Sequence, residues 1–198
     1  DMVISDFYRV SGERLAQKGD IEEDKVMSRQ EFASYMIENP ADFYYGVLWN
    51  KMYRRSIIEE YHIRMDTSIS WCEDFLFNLE YIRHAESFFA LQVPIYYYLK
   101  RRGSLVSQGA SITNTVRMKS NIFEYYNEFY KDVYEDKDYA DIRLQVYSFL
   151  WAAAKDGSVL AGSKKLGEER RRITREEVEG NGAVIGQYRF RRLYEYEL

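Results

Sequence analysis

The chain has 198 residues, enough for one domain or one domain with a small appendage. Apolar residues at 46%, aromatic residues at 17% and only two prolines exclude a disordered or linker-rich chain. A net charge of −4 excludes a global field that would attract nucleic acid or anionic lipid, and the one cysteine, Cys72, excludes an internal disulfide framework and fits a reducing compartment.

In chain order, residues 2–10 form a β-type run, Met2-Val3-Ile4-Ser5-Asp6-Phe7-Tyr8-Arg9-Val10. Residues 11–28 are polar and carry Gly12 and Gly19, the composition of a loop or hairpin. Ser28 then caps a predicted helix over Arg29 to Glu38, with Glu31 at the N3 position and Phe32, Tyr35 and Met36 as its apolar stripe; Asn39-Pro40 stops it. Phe43 to Tyr53 is aromatic and mostly uncharged, a core strand or turn that contains Trp49-Asn50-Lys51. Trp49 reads equally as a fold anchor and as a stacking surface for a ligand. Lys51, inside an apolar stretch, needs a partner if it is buried. A helix is predicted for Arg54 to Tyr61, then a loop over Asp66 to Ser70.

The next stretch is Ser70-Trp71-Cys72-Glu73-Asp74-Phe75-Leu76-Phe77-Asn78. Phe75, Leu79 and Ile82 recur at i, i+4 and i+7, which predicts a helix with two carboxylates at its start. Unpaired N–H groups and the helix dipole there draw Asp74 toward its ionised form, which suits a general base. Ser70 and Glu73 have capping-box spacing, so Glu73 also reads as a cap. Cys72 reads as a buried small hydrophobe. The two histidines, His62 and His84, have no metal-site spacing and read as structural.

Strands follow at Ser87 to Gln92 and Ile95 to Lys100, divided by Pro94, with Tyr96 and Tyr98 on one face and Ile95, Tyr97 and Leu99 on the other. Lys100-Arg101-Arg102-Gly103-Ser104 is a basic loop. From residue 111 the pattern turns helical: Ile112, Val116, Ile122, Phe123, Tyr126, Phe129, Tyr130 and Val133 mark one helix. Leu144, Tyr147, Phe149, Leu150 and Trp151 mark a second, over Tyr139 to Lys155. Residues 163–198 mix both charges, as a solvated helix does, and end in Tyr188-Arg189-Phe190-Arg191-Arg192-Leu193-Tyr194, an aromatic-basic composition suited to an interface. No apolar run reaches the roughly 18 residues of a membrane span, and no signal-peptide pattern opens the sequence. The expectation is a soluble, cytoplasmic chain.

Three of these blocks, in this order, carry a resemblance: Trp49-Asn50-Lys51-Met52-Tyr53-Arg54, then Glu73-Asp74-Phe75-Leu76-Phe77-Asn78, then Pro94-Ile95-Tyr96-Tyr97-Tyr98 with its basic, Ser-containing loop. Over about residues 1–107 the chain resembles the second half of the catalytic domain of family 2 glycosyltransferases, the inverting GT-A type. The resemblance implies an α/β fold: the C-terminal part of a GT-A-like mixed sheet over residues 1–108, followed by a helical extension over 109–198. It implies a hexosyltransferase-like enzyme of cell-surface or extracellular polysaccharide synthesis, moving a sugar from a nucleotide sugar to a glycan or lipid-linked acceptor. Asp74 would be the base with Glu73 orienting it, and Trp49, Asn50, Lys51, Arg101, Arg102 and Ser104 would bind substrate.

In that family a nucleotide-binding half, with an Asp-Asp-Gly-Ser segment and a D-x-D metal motif, precedes a strand like residues 2–10. Neither motif stands ahead of that strand in this sequence. The expectation is therefore a fragment, inactive alone, with no cofactor and no metal site of its own. The Mg or Mn ion would belong to the full-length parent. Peripheral contact at the inner face of the membrane follows for a lipid-linked acceptor, nucleic acid is not an expected partner, and a homodimer through an exposed sheet edge stays open. The alternative is a non-catalytic α/β interaction module whose aromatic-basic tail contacts protein or membrane and whose acidic pair is only a cap.

Overall fold

The computed structural model describes residues 1–40, 42–67, 72–99, 112–150 and 172–173, and within them the opening apolar run divides between two sheets. β1 (Met2–Ser5) pairs antiparallel with β5 (Lys51–Tyr53) and parallel with β6 (Ser87–Leu91), and β4 (Val26–Ser28) joins β6 antiparallel, giving the order β4-β6-β1-β5. β2 (Phe7–Ser11) continues directly from β1 into a second sheet with β3 (Arg14–Lys18), β7 (Tyr97–Leu99) and the short β8 (Arg172–Ile173), in the order β7-β2-β3-β8. The result is mixed α/β, as expected.

Asp6 is the residue at which the chain changes sheets. Its N–H donates to the Leu91 carbonyl at 3.0 Å and its carbonyl accepts from the Ile95 N–H at 3.2 Å. β6 and β7 thus make the same passage beside β1 and β2, which keeps both pairs parallel. The Asp6 side chain is buried, takes a hydrogen bond from Gln17 Nε2 at 2.8 Å, and lies against Gly19, where an added Cβ would fall 2.1 Å from Asp6 Oδ1. The polar stretch expected as a loop or hairpin is the returning arm of the β2–β3 hairpin, turned at Gly12 with φ of +60°.

α1 (Arg29–Glu38) has the expected capping box: the Glu31 N–H donates to Ser28 Oγ at 3.2 Å, and the Ser28 N–H donates to Glu31 Oε2 at 2.7 Å. Ser28→Ala is expected to cost about 1 kcal/mol of stability by urea denaturation; an unchanged midpoint would show that the box is redundant. α1 buries Phe32, Ala33, Met36 and Ile37, and the Phe32 ring stacks on Phe88 of β6 at 4.6 Å. The expected strand or turn over Phe43 to Tyr53 is a helical turn, α2 (Phe43–Gly46), then a bend, then β5. α3 (Arg55–Glu60), α4 (Glu73–His84), α5 (Ile112–Val133) and α6 (Asp136–Tyr147) follow, with a 3₁₀ turn at Ser148–Leu150.

Two expectations for the C-terminal part need correction. The second long helix begins at Asp136 and is complete by Tyr147, and Leu144 of its predicted stripe is 80% exposed. Val146 is the buried residue there; at 3.6 residues per turn it lies about 200° from Leu144, so burying one turns the other to solvent. Arg172 and Ile173, expected in a solvated helix, pair instead with Ala16 and Leu15 of β3 respectively, whose outer edge carries ladder groups that β2 leaves unpaired. Trp151 to Lys155, the rest of residues 163–198 including Tyr188 to Tyr194, and the side chains of Ile112 and Val116 lie outside the described residues.

One core joins the parts. Ile4, Phe88, Leu79, Ile82, Tyr126 and Phe129 belong to the same buried cluster. Within it Tyr130 Oη donates to the Ala33 carbonyl at 2.9 Å, and at its rim Arg83 Nε lies 3.2 Å from Oδ2 of the exposed Asp132, an ion pair between α4 and α5. The α4 stripe predicted from Phe75, Leu79 and Ile82 is the face that packs inward, with Phe75 partly buried.

Candidate active site

The segment from Tyr44 to Lys51, which runs from α2 through a short loop into β5, is gripped from several sides by polar side chains. Asn50 is 0% exposed; its Nδ2 donates to the Tyr44 carbonyl at 3.0 Å and to the Ser5 carbonyl at 3.3 Å. Lys51 Nζ donates to the Tyr44 carbonyl at 2.9 Å, to Asn50 Oδ1 at 2.8 Å and to the Val47 carbonyl. These are the partners that a buried lysine was expected to need. Burial pulls the Lys51 pKa well below the ordinary lysine value, and the negative charges of Asp74 and Asp42 work against that pull.

α4 grips the same loop from the other side. Asn78, also 0% exposed, donates through Nδ2 to the carbonyls of Tyr45 at 2.9 Å, Gly46 at 3.0 Å and Val47 at 3.3 Å. Its Oδ1 accepts from the Tyr53 hydroxyl at 2.6 Å. Burial, and then the Asp74 charge, hold the Tyr53 hydroxyl far above its ordinary pKa, so it remains a donor.

Asp74 precedes Asn78 by four residues, one turn earlier on the same face of α4, and the Leu48 N–H of the same segment favours its ionised form. Burial raises the Asp74 pKa, the adjacent Glu73 charge raises it further, and the Leu48 N–H and Lys51 pull it down without winning. The expected pull toward the ionised form is therefore reversed. The helix terminus favours a carboxylate, but desolvation and a like charge outweigh it here. A carboxylate whose conjugate acid has a raised pKa is a stronger base once ionised.

α4 opens differently from the capping-box expectation. Its N-cap is Cys72, whose carbonyl accepts the Leu76 N–H at 3.1 Å, and Glu73 is the first helical residue. A box with Glu73 at N3 needs Ser70 as the N-cap, so Glu73 does not serve that cap; Ser70 itself lies outside the described residues. Cys72 takes a left-handed backbone, φ of 65°, a conformation that costs a residue with a Cβ roughly 1–2 kcal/mol. Strain of this kind clusters at functional sites. The Cys72 thiol is half-buried and pushed up to about 12 by burial and by the Glu73 and Asp74 charges, so it is no thiolate nucleophile.

Trp49 is half-buried at the centre of an aromatic cluster. It meets Phe7 edge-on at 4.8 Å and stacks on Tyr96 at 4.3 Å and on Tyr98 at 5.6 Å. The alternation predicted for Tyr96 and Tyr98 is seen, since both reach the same ring; Tyr97 instead meets Tyr8 at 5.0 Å. Trp49 thus anchors β7 to the loop, while Tyr96 is 37% exposed. Arg101, Arg102 and Ser104 lie outside the described residues. His84 stacks on Tyr61 at 3.8 Å and hydrogen-bonds Glu80 at 3.1 Å.

Sequence reasoning did not assign Asn78 or Tyr53 a part. Their signal lay in spacing: Asn78 stands at i+4 from Asp74, and Tyr53 two residues after Lys51 on β5. The Tyr44 hydroxyl was also missed. It is buried, with the residue 1% exposed, and has no hydrogen-bond partner among the described residues. Tyr44→Phe is expected to leave stability unchanged or raise it by up to about 1 kcal/mol in thermal unfolding, since it removes a buried polar group without stranding a partner.

Among the described residues no three His, Cys, Asp or Glu side chains gather closely enough to hold a metal ion. Asp136-Lys137-Asp138 has D-x-D spacing but forms the exposed first turn of α6. No helix among the described residues is long and apolar enough to cross a membrane.

No protein-family model matches the chain. Over 106 residues it is 27% identical to a protein of Bacillus subtilis (strain 168) named "Uncharacterized glycosyltransferase EpsJ", a stretch that is 53% of this chain and 31% of that protein. The similarity supports a glycosyltransferase relationship, and the chain spans about a third of the length of the curated relative it matches.

Proposed function

We propose that the chain forms the acceptor side of an inverting, family 2-like glycosyltransferase of GT-A type, with Asp74 as the general base. The observation that carries this reading is the Asp74 carboxylate, placed in the first turn of α4 and made more basic by burial and the Glu73 charge. The similarity to a protein named a glycosyltransferase supports the reaction class. The acceptor hydroxyl gives its proton to Asp74 as its oxygen attacks the anomeric carbon of a nucleotide sugar. The bond from that carbon to the diphosphate breaks, its electron pair leaving with the diphosphate. A single positioned base suffices for the proton transfer.

Glu73 keeps the base strong through its neighbouring charge, and the Trp49 cluster with exposed Tyr96 supplies an aromatic surface beside the loop. Charge on the leaving diphosphate needs a counter-charge. Among the described residues no three His, Cys, Asp or Glu side chains gather to hold a metal ion that could supply it. Arg101 and Arg102 are proposed for it on the sequence pattern alone, and a divalent cation is proposed for the protein as a whole. The nucleotide sugar, a glycan or lipid-linked acceptor, and a place at the inner face of the membrane belong to the same proposal. The alternative, a non-catalytic module, rests on a tail outside the described residues.

The test is release of nucleoside diphosphate by the full-length natural protein from a panel of nucleotide sugars, with and without polysaccharide or lipid-linked acceptors. Acceptor-dependent release supports the reading; no release from any donor, with or without Mg or Mn, would overturn it.

A further inference from the structure

Phe7, Phe43, Tyr96 and Tyr98 all meet the Trp49 ring. Phe7 and Phe43 are buried, Trp49 and Tyr98 are half-buried, and Tyr96 is the exposed member of the cluster. Its ring lies on the indole at 4.3 Å with 21° between the planes. A ring stacked in this way has one face covered, so its exposure belongs to the other face and the rim. The backbone beneath is fixed as well, since the Tyr96 carbonyl accepts the Tyr8 N–H at 2.8 Å. Neither the Tyr96 hydroxyl nor the Trp49 indole N–H has a hydrogen-bond partner among the described residues, and neither is a buried unpaired atom. Both are left to water or to a ligand.

We propose that the open face of Tyr96, with Trp49 stacked behind it, is the platform on which a pyranose ring of the acceptor lies. A pyranose has the complementary surface: its C–H bonds form an apolar face that suits the electron-rich face of an aromatic ring, and its hydroxyls stand at the rim. There the Tyr96 hydroxyl and the indole N–H supply polar contacts, the combination of aromatic surface and few polar groups that small-molecule sites use. Holding the ring in place before binding removes part of the ordering cost. A lipid chain needs a continuous aliphatic surface, and the exposed Ile95 next to Tyr96 leaves on the opposite side of the strand by alternation. Trp49 belongs to the segment whose Tyr45, Gly46 and Val47 carbonyls Asn78 holds, one turn after Asp74, so the platform and the proposed base flank the same segment. The place of the platform in the reaction rests on the glycosyltransferase reading, but the binding of a sugar does not.

The test is an NMR titration of the tyrosine ring signals in the full chain, with Tyr96 assigned by loss in Tyr96→Phe. The probes are cellobiose, lactose and N,N′-diacetylchitobiose. At least one is expected to shift the Tyr96 ring and the Trp49 indole N–H signals with millimolar affinity. Tyr96→Ala is expected to lose the Trp49 response, and Tyr96→Phe to keep it within about threefold in affinity, because stacking needs the ring more than the hydroxyl. No Tyr96 response to any of the sugars overturns the proposal, and so does a Trp49 response that survives in Tyr96→Ala. A Tyr96 shift with phosphatidylglycerol vesicles and none with sugar makes the face a membrane contact and overturns it too. If Tyr96→Ala does not fold, transferred NOEs between the sugar C–H protons and the Tyr96 ring of the parental chain decide, and their absence overturns it. A full-length natural protein that releases no nucleoside diphosphate would remove the glycosyltransferase reading and leave these binding outcomes standing, so the two failures are distinct.

Discussion

Asp74→Asn is expected to lower kcat of the full-length natural protein by about 10²–10⁴-fold, the usual contribution of a positioned base. Donor KM should hardly move, because the carboxylate is assigned to the acceptor hydroxyl and not to the nucleotide. The stability change is expected in the opposite direction. A carboxyl whose folded pKa is raised binds its proton more tightly folded than unfolded. It therefore favours the fold at low pH, and that advantage is lost as pH rises through the folded pKa. At neutral pH the ionised Asp74 thus costs stability, and Asn removes the repulsion from Glu73. Melting temperature at pH 7 should hold or rise as turnover falls, the trade expected of a group retained for chemistry. Glu73→Gln separates the two carboxylates: it removes only the neighbouring charge, so Asp74 should titrate lower and kcat fall far less than in Asp74→Asn. Parental turnover in Asp74→Asn would move the base elsewhere in the protein.

Asn78→Ala is expected to destabilise the fold by about 3 kcal/mol, near the upper range for stranding a buried polar partner. For a chain of this size that is a fall of roughly 6–12 °C in Tm. The magnitude follows from what the amide holds: three loop carbonyls on one side and the Tyr53 hydroxyl on the other, with the side chain fully buried. Tyr53→Phe removes one donor from the same network and should cost only about 1 kcal/mol. Asn78 stands one turn from Asp74 on α4 and anchors that helix to the neighbouring segment, so turnover should fall with stability in Asn78→Ala, unlike in Asp74→Asn. A loss below 1 kcal/mol for Asn78→Ala would mean that the loop is set by Lys51 and Asn50 alone.

Several elements were legible in the sequence because their energetics are local. Ser28 and Glu31 are three residues apart, and the box they form needs nothing beyond its own helix turn. The inward face of α4 and the alternation of Tyr96 with Tyr98 follow from the periods of helix and strand. The acidic pair was legible as a site candidate, and Lys51 as a residue in need of partners.

The tertiary structure decided what those residues do. The change of sheet at Asp6 depends on Leu91, Ile95 and Gly19, and no periodicity in residues 2–10 announces it. Asn50 and Asn78, spelled as polar residues in apolar surroundings, became buried clamps only when the loop was folded between them. Cys72 took the N-cap and a left-handed backbone that the Ser70–Glu73 spacing did not suggest. The sign of the Asp74 shift was reversed because a helix dipole is a property of the segment, whereas desolvation is a property of everything packed around it. Local hydrogen bonds and side-chain period are written in neighbouring residues. The dielectric around a carboxylate, and the partners of a buried amide, are set by residues distant in sequence and become known only once the chain is folded.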